Sequence, residues 1–153
     1  MNVIIVTINY RLGVLGFMAL DRLESGEVSN ANFGLQDQVA AIKWVADNIE
    51  EFGGDKESIT VHGQSAGATS TSLHLLNMDV VRAIKVLFLF DELNKTFQSV
   101  IIQSSPFSLP AKSKEEAQSQ FQLVAEYTGC TSENGVSIDC LRFYLNRNVL
   151  YLL

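Results

Sequence analysis

Apolar and polar positions change period along this chain, and each change predicts an element. Residues 3–9, Val-Ile-Ile-Val-Thr-Ile-Asn, are β-rich and apolar on both faces. That is the pattern of a central parallel strand covered on two sides. Over 33–49 the spacing turns helical, with Leu35, Val39, Ile42, Trp44, Val45 and Ile49 near a common face and Asn32 placed to cap the start. This helix reads as the crossover between two parallel strands. Between them Gly13, Gly16 and Gly26, with Asp21, Glu24, Ser29 and Asn30, predict a long surface connection. A second strand over 59–62 follows the Gly53-Gly54-Asp55 turn, a helix over 68–76 carries Leu73, Leu75 and Leu76, and Val100-Ile101-Ile102 marks a third strand. From Ser113 onward Ala117, Phe121, Leu123, Val124 and Tyr127 predict an amphipathic surface helix. Ser113 is its N-cap, and Glu116 completes a capping box.

The second strand ends in Gly63-Gln64-Ser65-Ala66-Gly67 and runs directly into the helix behind it. Strand, Gly-x-Ser-x-Gly and helix in that order form a nucleophile elbow. The turn is tight enough that side chains at Gly63 and Gly67 are expected to collide with neighbouring backbone. It lifts the Ser65 hydroxyl clear of the sheet, at the amino end of a helix whose free N–H groups favour a developing oxyanion. Ser65 is the candidate nucleophile and the Ala66 N–H a candidate oxyanion donor.

The motifs Asn9-Tyr10-Arg11-Leu12-Gly13, Asn32-Phe33-Gly34-Leu35-Gln36-Asp37-Gln38, Trp44-Val45-Ala46-Asp47-Asn48-Ile49, Phe52-Gly53-Gly54-Asp55, Gly63-Gln64-Ser65-Ala66-Gly67 and Ile102-Gln103-Ser104 stand in this order along nearly the whole chain. Together they resemble the type-B carboxylesterases, which include the cholinesterases. The resemblance implies an α/β fold: part of an α/β-hydrolase, a mostly parallel sheet with flanking helices, lacking the N- and C-terminal parts of the family domain. It implies hydrolysis of small carboxylic esters through a serine acyl-enzyme, with no cofactor and no metal. By the same resemblance Arg11 and Asp37 form a buried ion pair, Ser104 lies close to the catalytic serine and histidine, and Cys130 and Cys140 close a disulfide. Read on its own, Ser104 fits a turn-capping hydroxyl equally well. The disulfide and the family together suggest a secretory or extracellular setting. Gln64 stands where many members carry glutamate, so general ester hydrolysis is expected rather than cation-selective choline-ester work.

Length and charge bound this reading. The chain has 153 residues, 47% of them hydrophobic, which suffices for a single partial domain over 1–153 and falls well short of a whole family domain. The net charge of −6, with no basic run, argues against nucleic acid or an anionic membrane as partner. The start lacks a basic, cleavable leader, and no apolar run is long enough to span a bilayer. Residues 79–93 exceed the family's short loop by roughly a dozen positions and read either as a helical insertion or as translated intron. Beside them Asn94-Lys95-Thr96 is a glycosylation sequon, a pattern that arises easily by chance.

A serine hydroxyl needs a histidine to take its proton and a carboxylate to orient that histidine. The chain has two histidines, His62 on the strand before Ser65 and His74 far along the helix after it, and neither is expected to reach the hydroxyl. The family places its triad acid and histidine beyond residue 153. Two readings therefore stand together. One is an esterase segment acting through Ser65 and inactive by itself; the other is a non-catalytic, truncated pseudo-enzyme or an adhesion-type module.

Overall fold

The computed structural model describes residues 3–19, 32–75, 96–105, 112–133 and 135–148. The expected insertion at 79–93 and the sequon at Asn94 lie outside them, as do Asp21, Glu24, Gly26, Ser29 and Asn30. The chain divides into two compact units, Met1–Leu12 with Phe33–Pro110 and Gly13–Asn32 with Ala111–Leu153.

In the first unit, helix α2 (Phe33–Asn48) runs into a 3₁₀ turn (Ile49–Phe52). Gly53, at φ 81°, closes that turn, its N–H donating to the Glu50 carbonyl. Strand β1 (Thr60–Gln64), helix α3 (Ala66–Leu75) and strand β2 (Ser99–Gln103) follow. The strands pair in parallel with Thr60 opposite Ser99 and Gln64 opposite Gln103. Helix α3 packs on both strands, as a parallel connection requires. Val39 and Ile42 on α2 make the buried core, with Val61 and Phe97 against them.

Residues 3–9 are the main correction to the expected sheet, for the segment 3–12 carries no strand. Val3 is 69% and Ile5 83% exposed. A cleft of about 750 Å³ lies between this segment and β1, lined by Ile4, Ile8, Ile42, Ile49, Ile59 and Val61 among others. The physical reason is pairing: β-branched residues favour an extended backbone, but a strand exists only where a neighbour takes up its N–H and C=O groups. Among the described residues β1 pairs only with β2, none of whose residues lines the cleft. The cleft stops at His62 and does not reach Ser65.

Just past that segment, Arg11 grips Asp37 on the first turns of α2. Its Nε and Nη2 donate to the two carboxylate oxygens at 2.7 Å each, its backbone N–H donates at 3.0 Å, and the guanidinium lies 5.3 Å from the Phe33 ring centre. The guanidinium holds the Asp37 carboxyl below the usual carboxylate range. The pair forms, yet it is half-exposed on the arginine side rather than buried as the family resemblance implies.

The second unit holds helix α1 (Gly13–Phe17), helix α4 (Lys114–Tyr127), a two-residue hairpin of β3 (Thr131–Ser132) with β4 (Gly135–Val136), and helix α5 (Ile138–Asn148). Helix α1 replaces part of the expected irregular connection, with Gly16 buried. The capping box at α4 is complete: Ser113 Oγ accepts from the Glu116 N–H at 3.1 Å, and Glu116 Oε2 accepts from the Ser113 N–H at 2.8 Å. Its inward face is Phe121 and Ala125, which join Cys130, Val136 and Leu141 in one core. Leu123 and Tyr127, expected on the buried stripe, point outward. Cys130 and Cys140 are joined in a disulfide with Cα atoms 5.5 Å apart. No helix among the described residues is long and apolar enough to cross a membrane.

Candidate active site

The turn at Ser65 has the geometry that strand-to-helix reversal imposes. Ser65 sits at φ 54°, a left-handed conformation costly for a residue with a side chain. Two backbone hydrogen bonds hold it: its N–H donates to the Gln103 carbonyl on β2, and its carbonyl accepts from the Thr69 N–H, each at 3.0 Å. Its side chain is exposed.

Gly63 explains why the turn closes. It is buried, and a Cβ there would run into the Gly67 carbonyl and the Thr71 hydroxyl. Gly67 is different from what the motif suggests, since a Cβ built on it meets nothing within 4 Å. A side chain is therefore excluded at Gly63, which the Gly67 carbonyl approaches closely, and not at Gly67 itself.

The parallel register sets Ser104 at the end of β2, one residue beyond Gln103, just as Ser65 stands one residue beyond Gln64. Ser104 shares the left-handed backbone, at φ 53°, and is exposed. Gln64, beside Ser65, is exposed and brings no charge. The Ala66 N–H belongs to the first turn of α3, where helical N–H groups have no intrahelical acceptor.

Neither histidine serves this turn. His62 Nε2 lies 3.2 Å from the Gln103 side-chain oxygen on the neighbouring strand. His74 is nine positions along the helix from Ser65, about 13 Å at 1.5 Å per residue. It is buried, 6% exposed, and its Nε2 lies 2.8 Å from Gln38 Oε1 on α2. Burial pushes its pKa down to about 4. The sequence alone gives Gln38 no role in the site; its one signal is an amide on the apolar face of α2, four positions before Ile42.

The profile of the carboxylesterase family matches residues 1–149. Among curated proteins, the cholinesterase of Mus musculus is 39% identical over 144 residues, covering 92% of this chain and 21% of that protein. Neuroligin-2 of Mus musculus is 34% identical over 150 residues, covering 97% of this chain and 16% of that protein. The crystal structure of the Geobacillus stearothermophilus carboxylesterase at pH 6.8 superposes with a TM-score of 0.66 at 32% identity, covering 90% of this chain and 28% of that one. The chain spans about a fifth of the length of the curated relatives it matches.

Proposed function

Because the chain belongs to the carboxylesterase family, we propose that it is the nucleophile-bearing segment of a serine esterase that cleaves small carboxylic esters through an acyl-enzyme at Ser65. The elbow carries this reading. Ser65 is held at φ 54° by backbone bonds on both sides, its side chain is exposed, and Gly63 fits where a Cβ would strike backbone.

In the proposed reaction Ser65 Oγ attacks the ester carbonyl carbon as a histidine removes its proton. The carbonyl oxygen becomes an oxyanion stabilised by the Ala66 N–H and the amino end of α3. Collapse expels the alcohol, and water then repeats the sequence on the acyl-enzyme. The histidine and its carboxylate come from parts of the esterase outside these residues, since both histidines here are committed elsewhere. Gly63 shapes the turn, Gln64 beside Ser65 is uncharged, and Ser104 supports from the next strand. The chemistry calls on no metal or organic cofactor.

A second reading is a non-catalytic module. It is favoured by the similarity to Neuroligin-2 and by the placement of both histidines of the chain away from Ser65. The two separate on a single experiment with the full-length protein that carries this segment. A fluorophosphonate probe is expected to label Ser65, mapped by mass spectrometry and lost in Ser65→Ala. Labelling elsewhere, or none, favours the non-catalytic reading.

A further inference from the structure

Four hydroxyls along the elbow helix fold back on its first turn. Thr69, Ser70, Thr71 and Ser72 each place Oγ within reach of the carbonyl four residues earlier, on Ser65, Ala66, Gly67 and Ala68. Ser70 differs from the others in also meeting another element, since Gln38 Nε2 on α2 lies 3.4 Å from its Oγ. The other end of the same amide meets His74 at 2.8 Å.

The chemistry of these groups fixes the direction of every bond. Ser70 spends its only proton on the Ala66 carbonyl at 3.1 Å, so it accepts from Gln38. The Gln38 amide nitrogen therefore faces Ser70, and its oxygen, which only accepts, faces His74. His74 must donate through Nε2–H. The result is a one-way chain from His74 to Gln38 to Ser70 to the Ala66 carbonyl, in a site where Gln38 is 4% and His74 6% exposed. Bonds aligned head to tail polarise one another, and low local polarity strengthens them.

We propose that Gln38 is a positioning residue for the nucleophile, holding the elbow helix at two points through Ser70 and His74 so that Ser65 and the Ala66 N–H keep their aim. The two points lie four residues apart, about 6 Å along the axis. One attachment would let the helix turn about it; two prevent both rotation and sliding. Motion of α3 would otherwise be taken up at Ser65, the hinge between strand and helix. Gln38 touches neither substrate nor Ser65 directly, so the inference rests on the esterase reading and concerns geometry alone.

Ser70→Ala gives the sharpest test, since it cuts the chain while placing a better helix former in α3. In the full-length esterase, assayed well below its melting temperature, kcat for a p-nitrophenyl ester is expected to fall by about tenfold to a hundredfold with KM little changed, while the Gln38 amide left without its acceptor lowers thermal stability. A purely structural link would predict the lost stability with unchanged turnover. Gln38→Met, which keeps the volume and removes both bonds, is expected to lower kcat in the same way. Should it fail to fold, Ser70→Ala decides alone. A wild-type kcat in Ser70→Ala overturns the proposal. The bond directions have an assay that needs no activity: spectra of the full-length protein labelled with ¹⁵N-histidine should show His74 as the Nε2–H tautomer, and an Nδ1–H tautomer overturns the chain of bonds. Failure of the fluorophosphonate to label Ser65 in the wild type sinks the esterase reading instead, and the tautomer result is unaffected by it.

Discussion

Gly63 and Gly67 bracket the same serine and have opposite consequences when a methyl group is added. At Gly63 the new Cβ meets a backbone carbonyl and a hydroxyl that is itself bonded, so the helix must move off the strand. At Gly67 the space is open, and alanine in a helix is favoured over glycine by up to about 1 kcal/mol. Gly63→Ala is therefore expected to destabilise the first unit by roughly 1–3 kcal/mol, and Gly67→Ala to leave it unchanged or raise it. Trp44 is the only tryptophan and sits in that unit. Urea melts followed by its fluorescence at nanomolar concentration separate the two; equal losses would mean that Gly67 is also enclosed. His74 gives a second residue-scale expectation. Unfolded it titrates near 6.5, folded near 4, so between these values the unfolded chain holds the extra proton. Stability is complete above pH 6.5, falls as pH drops through the window and levels off below 4. Across that window the loss amounts to about 3 kcal/mol, since each pH step of one costs about 1.36 kcal/mol while the proton sits only on the unfolded chain. The same Trp44 melts taken from about pH 7.5 to 3.5, which brackets both titrations, measure it, and a flat profile would mean that the imidazole is solvated in the folded chain. Gly63 is readable in the sequence because its partners, Gly67 and Thr71, lie close by along the chain, whereas the expected collision at Gly67 is not found. The Gln38–His74 contact is not readable, because 36 residues separate them and no local pattern links an amide on one helix to an imidazole on another.

At the scale of elements, what the sequence carried was whatever its own residues could complete. The capping box at Ser113 needs only the next three residues, and it formed as expected. Strands β1 and β2 and helices α2 and α3 likewise stand close to their predicted bounds. Residues 3–9 have as strong a β pattern as β1, but a strand is a relation between two segments, and among the described residues none pairs with them. The outward turn of Leu123 and Tyr127 has a similar origin: a periodic stripe marks a face, whereas the width of the core behind it decides how many positions are covered. The disulfide was legible only through the family, since two cysteines ten residues apart are compatible with a pair or with two free thiols. It ties the start of the β3–β4 hairpin to α5, and Cys130 is 2% exposed within the core of the second unit. Cross-linking a loop this short stabilises by roughly 2–3 kcal/mol in the chain-entropy model. Reduction, or Cys130→Ser with Cys140→Ser, is expected to lower the melting of the second unit, followed by tyrosine fluorescence at Tyr127 and Tyr144. The Trp44 signal of the first unit should stay where it was. A shared drop in both signals would show the two units melting as one.

For the whole molecule the decisive feature is how much strand edge and apolar surface the chain leaves uncovered. Among the described residues β1 and β2 pair only with each other, Ile101 and Ile102 on β2 are 49% and 37% exposed, and the segment carrying Val3 and Ile5 lies across an open cleft from β1. Unpaired edges next to exposed β-branched residues invite pairing between copies. The net charge of −6 opposes this only weakly once salt screens it. Chemistry points the same way. Both histidines of the chain are bonded away from Ser65, and in the proposed reaction triad members act as a unit, so losing one costs on the order of 10⁴–10⁶ in turnover. The 153-residue chain expressed alone is therefore expected to self-associate at micromolar concentration, increasingly so in high salt, and to hydrolyse a p-nitrophenyl ester no faster than its Ser65→Ala variant. Light scattering after gel filtration and the paired esterase assay test both halves. Self-association with no activity fits the geometry described. A monomeric, cooperatively folded chain whose turnover disappears in Ser65→Ala would contradict both halves, and would require a proton acceptor near Ser65 other than His62 or His74.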